Sequence, residues 1–484
     1  MIDKLGSIFT GLISTEEKGG IASNVGYAFA SQAISLIASF IMSLIVPKVL
    51  GVAEYAHWQL FLFYANYVAI TLLGVGDGVY LRLGGKQFSK IDGGSFKTEA
   101  LIVCLSQVFI ATVVWTISLT IELDEGLRFV LCSLLIYGVI QNFYGVIAPV
   151  FQAVNLTRIY SISSVVNRVV FLALILLFII SSGDQYEPLV AAYIIGSLCS
   201  LVYCVICARG ILSANLAPLS SVAKFLVEDI RNGFKVMIAY YASSLVVGAA
   251  RQVVVMRWGL ETFGQMSFAF SMVSFALLFI AQLSLVLFPI LRRLDIDHLS
   301  AFYSKIRDLL FVISPLAYLL YLPASFVLGI WLPSYSDSFR YLGILMPLLV
   351  FDGKMNMLCS TYFKVYNDTN HLLSFNCMAL AVSLLLSCVG AYCIGSIEFV
   401  VCGLLAAIML RSIVSERYLA VNRLHLRYLR LSLFECLTAA GFVASIYIGG
   451  LAPLVVPFFL YAVSLLLNRE ALDSTLKTIS SRKR

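Results

Sequence analysis

The sequence is poor in charge and contains no long polar segment. Charged residues make up only 12% of the 484 positions, whereas 61% are apolar, which excludes a soluble globular domain. The eleven cysteines lie within apolar segments or at their edges, so a disulfide framework is not expected. Neither an HExxH nor a GxSxG motif occurs, and the four histidines are scattered. Hydrolytic or transferase chemistry therefore finds little support, and we do not expect an enzyme.

A CxxC pair, Cys204 and Cys207, lies in an apolar segment without a second pair or a nearby histidine. Zinc sites of this kind need four ligands. Packing of small side chains accounts for the pair better, and we predict neither a metal site nor a bound cofactor.

Apolar runs of about 20 residues recur along the whole chain, each long enough to cross a hydrocarbon core of about 30 Å as a helix. Because backbone groups must be satisfied within the membrane, the predicted fold is an all-α polytopic membrane protein. Fourteen spans are predicted, at 21–46, 57–81, 99–121, 128–150, 161–181, 188–208, 236–257, 263–290, 308–331, 341–365, 372–394, 399–419, 432–450 and 453–468. Two prolines open the short last span, so the sequence leaves twelve and fourteen spans open at the C-terminus.

The basic residues predict the orientation. With the N-terminus inside, 25 of the 33 Lys and Arg residues are cytoplasmic, 4 are outside and 4 lie within spans. This bias places both termini in the cytoplasm. The net charge of +7 therefore indicates contact with the lipids of the inner leaflet, and not with nucleic acid.

The predicted spans divide into two six-helix bundles. Their segments are an interfacial helix at 1–20, an N-lobe at 21–210, a cytoplasmic linker at 211–235, a C-lobe at 236–420, and two additional spans with a basic tail at 421–484. A weak repeat supports this division, because in each half a glycine is followed four residues later by an aromatic and then by a small residue: Gly51, Tyr55, Ala56 and Gly259, Phe263, Gly264. Equal sidedness of the two copies predicts bundles related by a pseudo-twofold axis along the membrane normal.

Six ionisable residues stand out within the apolar segments: Arg168, Arg251, Lys354, Arg411, Asp77 and Asp352. A charge at the middle of a spanning helix costs about 2.5 to 3.5 kcal/mol, so all six would be expensive if they faced lipid. They must face protein, as structural ion pairs, or line a polar pathway for a charged solute.

The two acids have alternative interpretations. Asp352 and Lys354 are separated by about 200° on a helix, so each needs a different partner. Asp352 is predicted either to couple transport to an ion gradient, as a proton or cation site, or to form a fixed ion pair with a basic residue on another helix. Asp77, in the sequence GVGDG at 74–78, is predicted at a broken helix end suited to gating or in a pair with Arg82.

The arginines are suited to holding phosphate, because a guanidinium binds it in a bidentate manner and keeps its charge at physiological pH. Arg251, on a span predicted to line a cavity between the bundles, is favoured as a functional residue. Arg168 lies at a different depth, toward the inner half of its predicted span. For Arg411, near a predicted span end, snorkelling to the interface is the strong alternative.

Three segments resemble bacterial O-antigen and polysaccharide flippases, in the polysaccharide transporter branch of the multidrug/oligosaccharidyl-lipid/polysaccharide (MOP) exporter superfamily. They are VPKVLGVAEY at 46–55, GVGDGVYLRLGGK at 74–86 and FDGKMNMLCSTYFK at 351–364. The resemblance covers the first twelve spans. It implies a V-shaped pair of bundles in the bacterial inner membrane, which moves an undecaprenyl-diphosphate-linked oligosaccharide between leaflets by alternating access.

The resemblance also implies roles for individual residues. Arg251 would contact the diphosphate, and Lys354, Arg168 and Arg411 would be further lumen cations. Asp352 and Asp77 would be sites for coupling to H⁺ or Na⁺. A polysaccharide polymerase and a chain-length regulator are the implied partners.

Two other functions remain open from the sequence. A multidrug or cation antiporter of the same superfamily would export cations and have an acid-rich cavity, against the four basic and two acidic residues found here. A membrane glycan polymerase would need large outer loops, which the sequence lacks.

Overall fold

The structure is a computed structural model that describes residues 32–180, 183–291, 296–424, 426 and 429–480. The predicted interfacial helix at 1–20, the start of the first predicted span and the last four residues of the tail lie outside these ranges. The described residues are helical and contain no strand, so the prediction of an all-α polytopic membrane protein is confirmed.

The chain divides into two compact units, the N-unit Met1–Tyr241 and the C-unit Ala242–Arg484. The helices of the N-unit are α1 (Val46–Ala65), α2 (Val75–Leu83), α3 (Gly93–Ser118), α4 (Glu125–Ala153), α5 (Thr157–Ile180) and α6 (Glu187–Cys207), followed by the start of α7 (Leu219–Trp258). The division falls within α7.

The C-unit begins with the rest of α7. It continues with α8 (Leu260–Leu291), α9 (Ile296–Ile313), α10 (Tyr321–Trp331), α11 (Ser338–Leu345), α12 (Leu348–Lys354), α13 (Ser360–Val365), α14 (Thr369–Cys388), α15 (Ile397–Leu419), α16 (Leu429–Ile448), α17 (Ala452–Leu467) and α18 (Arg469–Ser480). The helix α18 bends by 85° from α17 and packs on α9.

Within the described residues, ten helical segments are long and apolar enough to cross a membrane, or up to thirteen when each of three bent pairs is one span. The segment Gln32–Leu72 has 41 residues, about 60 Å if straight and twice the hydrocarbon thickness. It is broken at Gly51, whose φ of 72° and ψ of 177° are not helical. Two crossings therefore fit this segment, in agreement with a total of about fourteen.

The two glycines of the predicted repeat have similar backbones. Gly51 and Gly259 have φ angles of 72° and 84°, in a region that side chains disfavour. A Cβ on either would meet open space, so the backbone conformation alone requires glycine. The aromatic residues that follow, Tyr55 and Phe263, are both fully buried.

The GVGDG segment forms a broken helix end, as the sequence predicted. Leu73 and Gly74 are left-handed, and α2 begins directly after them. A Cβ on Gly78 would lie 2.1 Å from the carbonyl oxygen of Asp229, and one on Gly74 would lie 2.4 Å from the carbonyl carbon of Gly233. The glycines thus let the backbone of α2 contact the backbone of α7 directly.

Candidate functional site

Arg168 lies at the midpoint of α5, where a charge is most costly in a membrane. Its side chain is half-buried, and it has neither an ion pair nor a hydrogen bond within the described part of the chain. The hydroxyl groups of Tyr193 and Tyr144 interact with it electrostatically. Arg168 is therefore a cation held at mid-span without a counter-ion among the described residues.

Close packing of α5 on α6 fixes the position of Arg168. The side chain of Asn167 donates a hydrogen bond to Ser197 at 3.1 Å. A Cβ on Gly196 would lie 2.7 Å from the carbonyl oxygen of Asn167, so only glycine allows this approach. The backbone that carries Arg168 is therefore held in place by close packing of α5 on α6.

An aromatic cluster holds Tyr193 beside Arg168. The ring of Tyr193 contacts Phe171 at 5.3 Å, Tyr137 at 5.4 Å, Phe61 at 5.8 Å and Trp58 at 6.0 Å between centroids. The contacts with Phe171, Phe61 and Trp58 are edge-to-face, and such contacts fix ring orientation as well as burying apolar area. The N-unit therefore presents one arginine against a fixed wall of aromatic side chains.

Arg251, on α7 in the C-unit, has partners. Its Nη2 donates to Oγ of Ser267 at 2.9 Å, and its guanidinium lies 5.0 Å from the Phe263 ring centroid and 5.9 Å from that of Phe270. Cation–π contacts of this kind reduce the cost of a charge within a span. The side chain remains partly exposed, so it keeps the accessibility that a substrate contact requires.

Asp352 and Arg411 form an ion pair, which is the fixed-pair alternative predicted for Asp352. Nη1 of Arg411 also donates to Ser243 at 3.0 Å and to Asn376 at 3.4 Å. Asp352 lies near the middle of the bent span formed by α11 to α13. The snorkelling alternative for Arg411 is wrong, because the side chain is buried near the midpoint of its span.

Lys354 belongs to a group of four buried charges, the four-charge cluster of Arg307, Lys354, Glu416 and Glu435. Nζ of Lys354 lies 2.6 Å from Glu416 and 2.8 Å from Glu435. Arg307 pairs with both glutamates, at 2.7 Å from Glu435. All four side chains are at most 2% exposed. The expected lumen cation at Lys354 is therefore a member of a neutral, closed network.

The sequence prediction of six intramembrane charges missed Glu416 and Glu435. Both lie within predicted spans, at 399–419 and 432–450, but close to the span ends. At a span end a charged side chain can reach the membrane interface at little cost in free energy, so these positions did not indicate buried charges. The imbalance of four bases against two acids was the available signal, because buried cations require anions. Glu435 also ties the thirteenth predicted span to α9, α12 and α15 of the C-unit.

Asp77 is exposed on α2 and does not pair with Arg82. Arg82 instead bonds Glu99 on α3 and Asp229 on α7, so the predicted Asp77–Arg82 pair is wrong. Glu99 is a further buried charge that the sequence prediction missed, since it starts the third predicted span.

A polar cluster around Asp368 joins the loop before α14 to the end of α15. The carboxylate accepts hydrogen bonds from Arg423 at 2.6 Å, His371 at 2.5 Å and Tyr418 at 2.8 Å. Burial alone would raise the pKa of Asp368, but these three bonds outweigh it and hold the pKa well below its usual range. The loop is thereby fastened to α15.

Within the described ranges, the side chains form no group of three or more His, Cys, Asp or Glu residues arranged to hold a metal ion. Cys204 and Cys207 are both buried with free thiols. The candidate site residues are charged and aromatic groups.

Comparison with solved structures identifies the fold. A structure described as the lipid II flippase MurJ in an inward closed conformation aligns with a TM-score of 0.63 at 10% identity, over 93% of this chain and 100% of that one. An inward-facing multidrug resistance MATE transporter of the MOP superfamily aligns at 0.59 and 14% identity, over 80% and 94%. A MOP superfamily transporter from Pyrococcus furiosus aligns at 0.52 and 13% identity, over 83% and 95%.

No protein-family model matches the sequence, and no curated protein matches it in sequence. The likeness is therefore one of fold. It confirms the predicted resemblance at that level, and the chain has the fold of MOP superfamily transporters.

Proposed function

We propose that this protein is a flippase that moves an undecaprenyl-diphosphate-linked oligosaccharide from the cytoplasmic to the outer leaflet by alternating access. The observation that carries the proposal is Arg168, a cation at mid-span without a protein counter-ion among the described residues. Keeping such a charge is costly. An anionic substrate that supplies the counter-charge during passage gives a reason for it.

The chemistry around the two arginines fits such a substrate. A guanidinium binds phosphate oxygens through parallel N–H bonds, and aromatic faces offer apolar surface to the sugar rings beside the phosphates. Arg168 interacts with the hydroxyl group of Tyr193 in the aromatic cluster, and Arg251 lies over Phe263 and Phe270. We assign phosphate binding to Arg168 in the N-unit and, separately, to Arg251 in the C-unit. The similar fold of the lipid II flippase MurJ supports a lipid-linked substrate.

Lys354 and Arg411 have a different role in this proposal. Both are neutralised by acids in the structure, so they stabilise the C-unit and do not bind substrate in this conformation. Coupling to H⁺ or Na⁺ through Asp352 or Asp77 stays a prediction. So do the bacterial inner membrane, the cytoplasmic termini, and the polymerase and chain-length regulator partners.

The test is flipping of a fluorescent undecaprenyl-diphosphate oligosaccharide in vesicles. Arg168→Gln should lower the flipping rate at least about tenfold, as expected for loss of one charge-assisted hydrogen bond. Arg340→Gln, the same change at an exposed position, is the matched control and should flip like the wild type. Equal rates in all three proteins would overturn the assignment of Arg168.

The competing function is export of cationic drugs, which the fold of MATE transporters also allows. An unpaired arginine repels a cation, so the proposal predicts that vesicles with this protein do not transport a fluorescent cationic dye. Dye transport that is insensitive to Arg168→Gln would favour the multidrug exporter instead.

A further inference from the structure

Two buried carboxyl groups of the N-unit share one arginine. Nη2 of Arg82 on α2 lies 2.5 Å from Glu99 on α3 and 2.7 Å from Asp229 on α7. The side chains of Glu99 and Asp229 are each 1% exposed, and that of Arg82 is 19% exposed. With both acids ionised, the group would carry a net charge of −1 away from water.

Arg82 serves the two acids unequally. Its Nε donates to both oxygens of Asp229, at 3.0 and 2.8 Å, whereas Glu99 receives one bond, on Oε2. The other oxygen of Glu99, Oε1, is fully buried and has no hydrogen-bond partner in the described ranges. An orphaned buried acceptor costs about 1 to 3 kcal/mol, and more when it is charged.

A proton removes both problems. Oε2 of Glu99 and Oδ2 of Asp229 lie 2.5 and 2.7 Å from the same nitrogen of Arg82, so the two carboxyl groups are adjacent. A proton added to Oε1 of Glu99 turns the orphaned acceptor into a donor towards the Asp229 carboxylate, and it lowers the net charge of the group to zero. Adjacent carboxyl groups that cannot both stay ionised share a proton in this way.

The other charged groups nearby do not supply a second cation. The other ionisable residues on these elements of the N-unit are Asp77 and Tyr80 on α2, Lys97 and Cys104 on α3, Glu125, Arg128, Cys132, Tyr137 and Tyr144 on α4, Arg209 on the short helix before α7, and Lys224, Glu228, Arg231, Lys235, Tyr240 and Tyr241 on α7. Nζ of Lys97 donates to the carbonyl oxygen of Ala214 at 3.1 Å. Asp77, Tyr80 and Arg209 are exposed, and so are Lys224, Glu228, Arg231 and Lys235 on α7.

We propose that Glu99 and Asp229 form a proton-binding site, in which one proton is held between the two carboxyl groups while Arg82 neutralises the remaining charge. The proton comes from water at the exposed edge of Arg82, adds to Oε1 of Glu99 and breaks no covalent bond. A sodium ion fits poorly, because it needs several oxygen ligands and would meet the charged guanidinium that already binds both acids.

The site lies beside the contact where Gly74 and Gly78 bring α2 against the backbone of α7 at Asp229 and Gly233. No side chain separates the two backbones at these glycines. A change of charge at Asp229 is therefore expected to alter the packing of α2 on α7. The assignment of this proton to driving transport rests on the proposed function. Proton binding itself does not.

The test is infrared difference spectroscopy of the full chain in lipid nanodiscs as the pH is raised. The wild type should show a carbonyl stretch of a protonated carboxyl group that disappears with rising pH and shifts in D₂O. Glu99→Gln should abolish this band. Glu228→Gln, the same change at the exposed neighbour of Asp229, should keep it.

Retention of the band in both Glu99→Gln and Asp229→Asn would overturn the proposal, and so would its displacement by sodium at constant pH. Thermal unfolding checks that both variants are folded, and two variants keep the test informative if one is not.

A flipping assay separates the two proposals. A proton gradient should accelerate flipping by the wild type but not by Glu99→Gln. Without a gradient, the two proteins should flip at the same rate. A titrating band without any wild-type flipping would refute the flippase and leave the proton site standing.

Discussion

The N-unit and the C-unit treat buried charge differently. In the C-unit, Lys354 and Arg411 are balanced by acids within the unit. In the N-unit, Arg168 has no described counter-ion, and Glu99 and Asp229 share one arginine. Balanced charges hold helices together, whereas unbalanced charges need something from outside the protein. The comparison therefore gives the four-charge cluster and the Asp352–Arg411 pair a structural role, and it supports the proposed ligand binding at Arg168 and at Glu99 and Asp229. Arg251 is the exception in the C-unit, because its partners are Ser267 and aromatic rings and not an acid.

The largest expected effect lies in the four-charge cluster. Lys354→Met leaves two buried glutamates with one arginine, which should destabilise the protein by about 3 to 5 kcal/mol. Thermal unfolding in detergent measures the loss as a lower midpoint. The double variant Lys354→Met with Glu435→Gln restores neutrality and should recover much of it. An unchanged midpoint for Lys354→Met would mean that the cluster is not structural.

Arg168→Gln should show the reverse pattern. Flipping should fall about ten- to a hundredfold, while the unfolding midpoint stays equal or rises, because the variant removes a charge that no acid among the described residues compensates. The two measurements together sharpen the comparison of the units. A lower midpoint for Arg168→Gln would reveal a structural role and remove the contrast.

Asp368→Asn should cost about 1 to 3 kcal/mol, because three hydrogen bonds to a carboxylate are weakened. The depressed pKa of Asp368 also sets a pH dependence. A carboxyl group with a lowered folded-state pKa adds stability that is fully present above the unfolded pKa of about 3.9 and is lost as the pH falls below it. Unfolding midpoints of wild type and variant should therefore converge in strong acid. Parallel curves at all pH values would contradict this.

The smallest effects concern the repeat. Gly51→Ala and Gly259→Ala should each cost about 1 to 2 kcal/mol, because both positions have positive φ angles. Gly210→Ala, where the φ is ordinary and the nearest atom is 4.0 Å away, is the control and should have little effect. Similar losses at the first two positions support equivalent turns, and a loss at only one would break the analogy.

The sequence predicted the fold well because lipid imposes a simple rule: long apolar runs must be helices. The repeat glycines were also visible, since turn residues act locally. Even the alternative of an ion pair for Asp352 followed from helical spacing, which showed that Lys354 is not its partner.

The partners of the charges were harder to predict. Arg307 and Glu435 are 128 residues apart, and Arg82 and Asp229 are 147 apart. Contacts between distant helices depend on rotation and packing, which hydropathy does not encode. Arg411 illustrates the consequence, because its sequence position allowed snorkelling and its packing against Asp352 and Asn376 did not.

The sequence by itself determined the membrane class, the all-α fold, the segments that span and the presence of charges that lipid would not tolerate. These follow from composition and local periodicity. Only the tertiary structure decided which charges are neutralised and which have no counter-ion among the described residues, because a Coulomb interaction within a membrane depends on distances of a few ångströms between residues far apart in the chain.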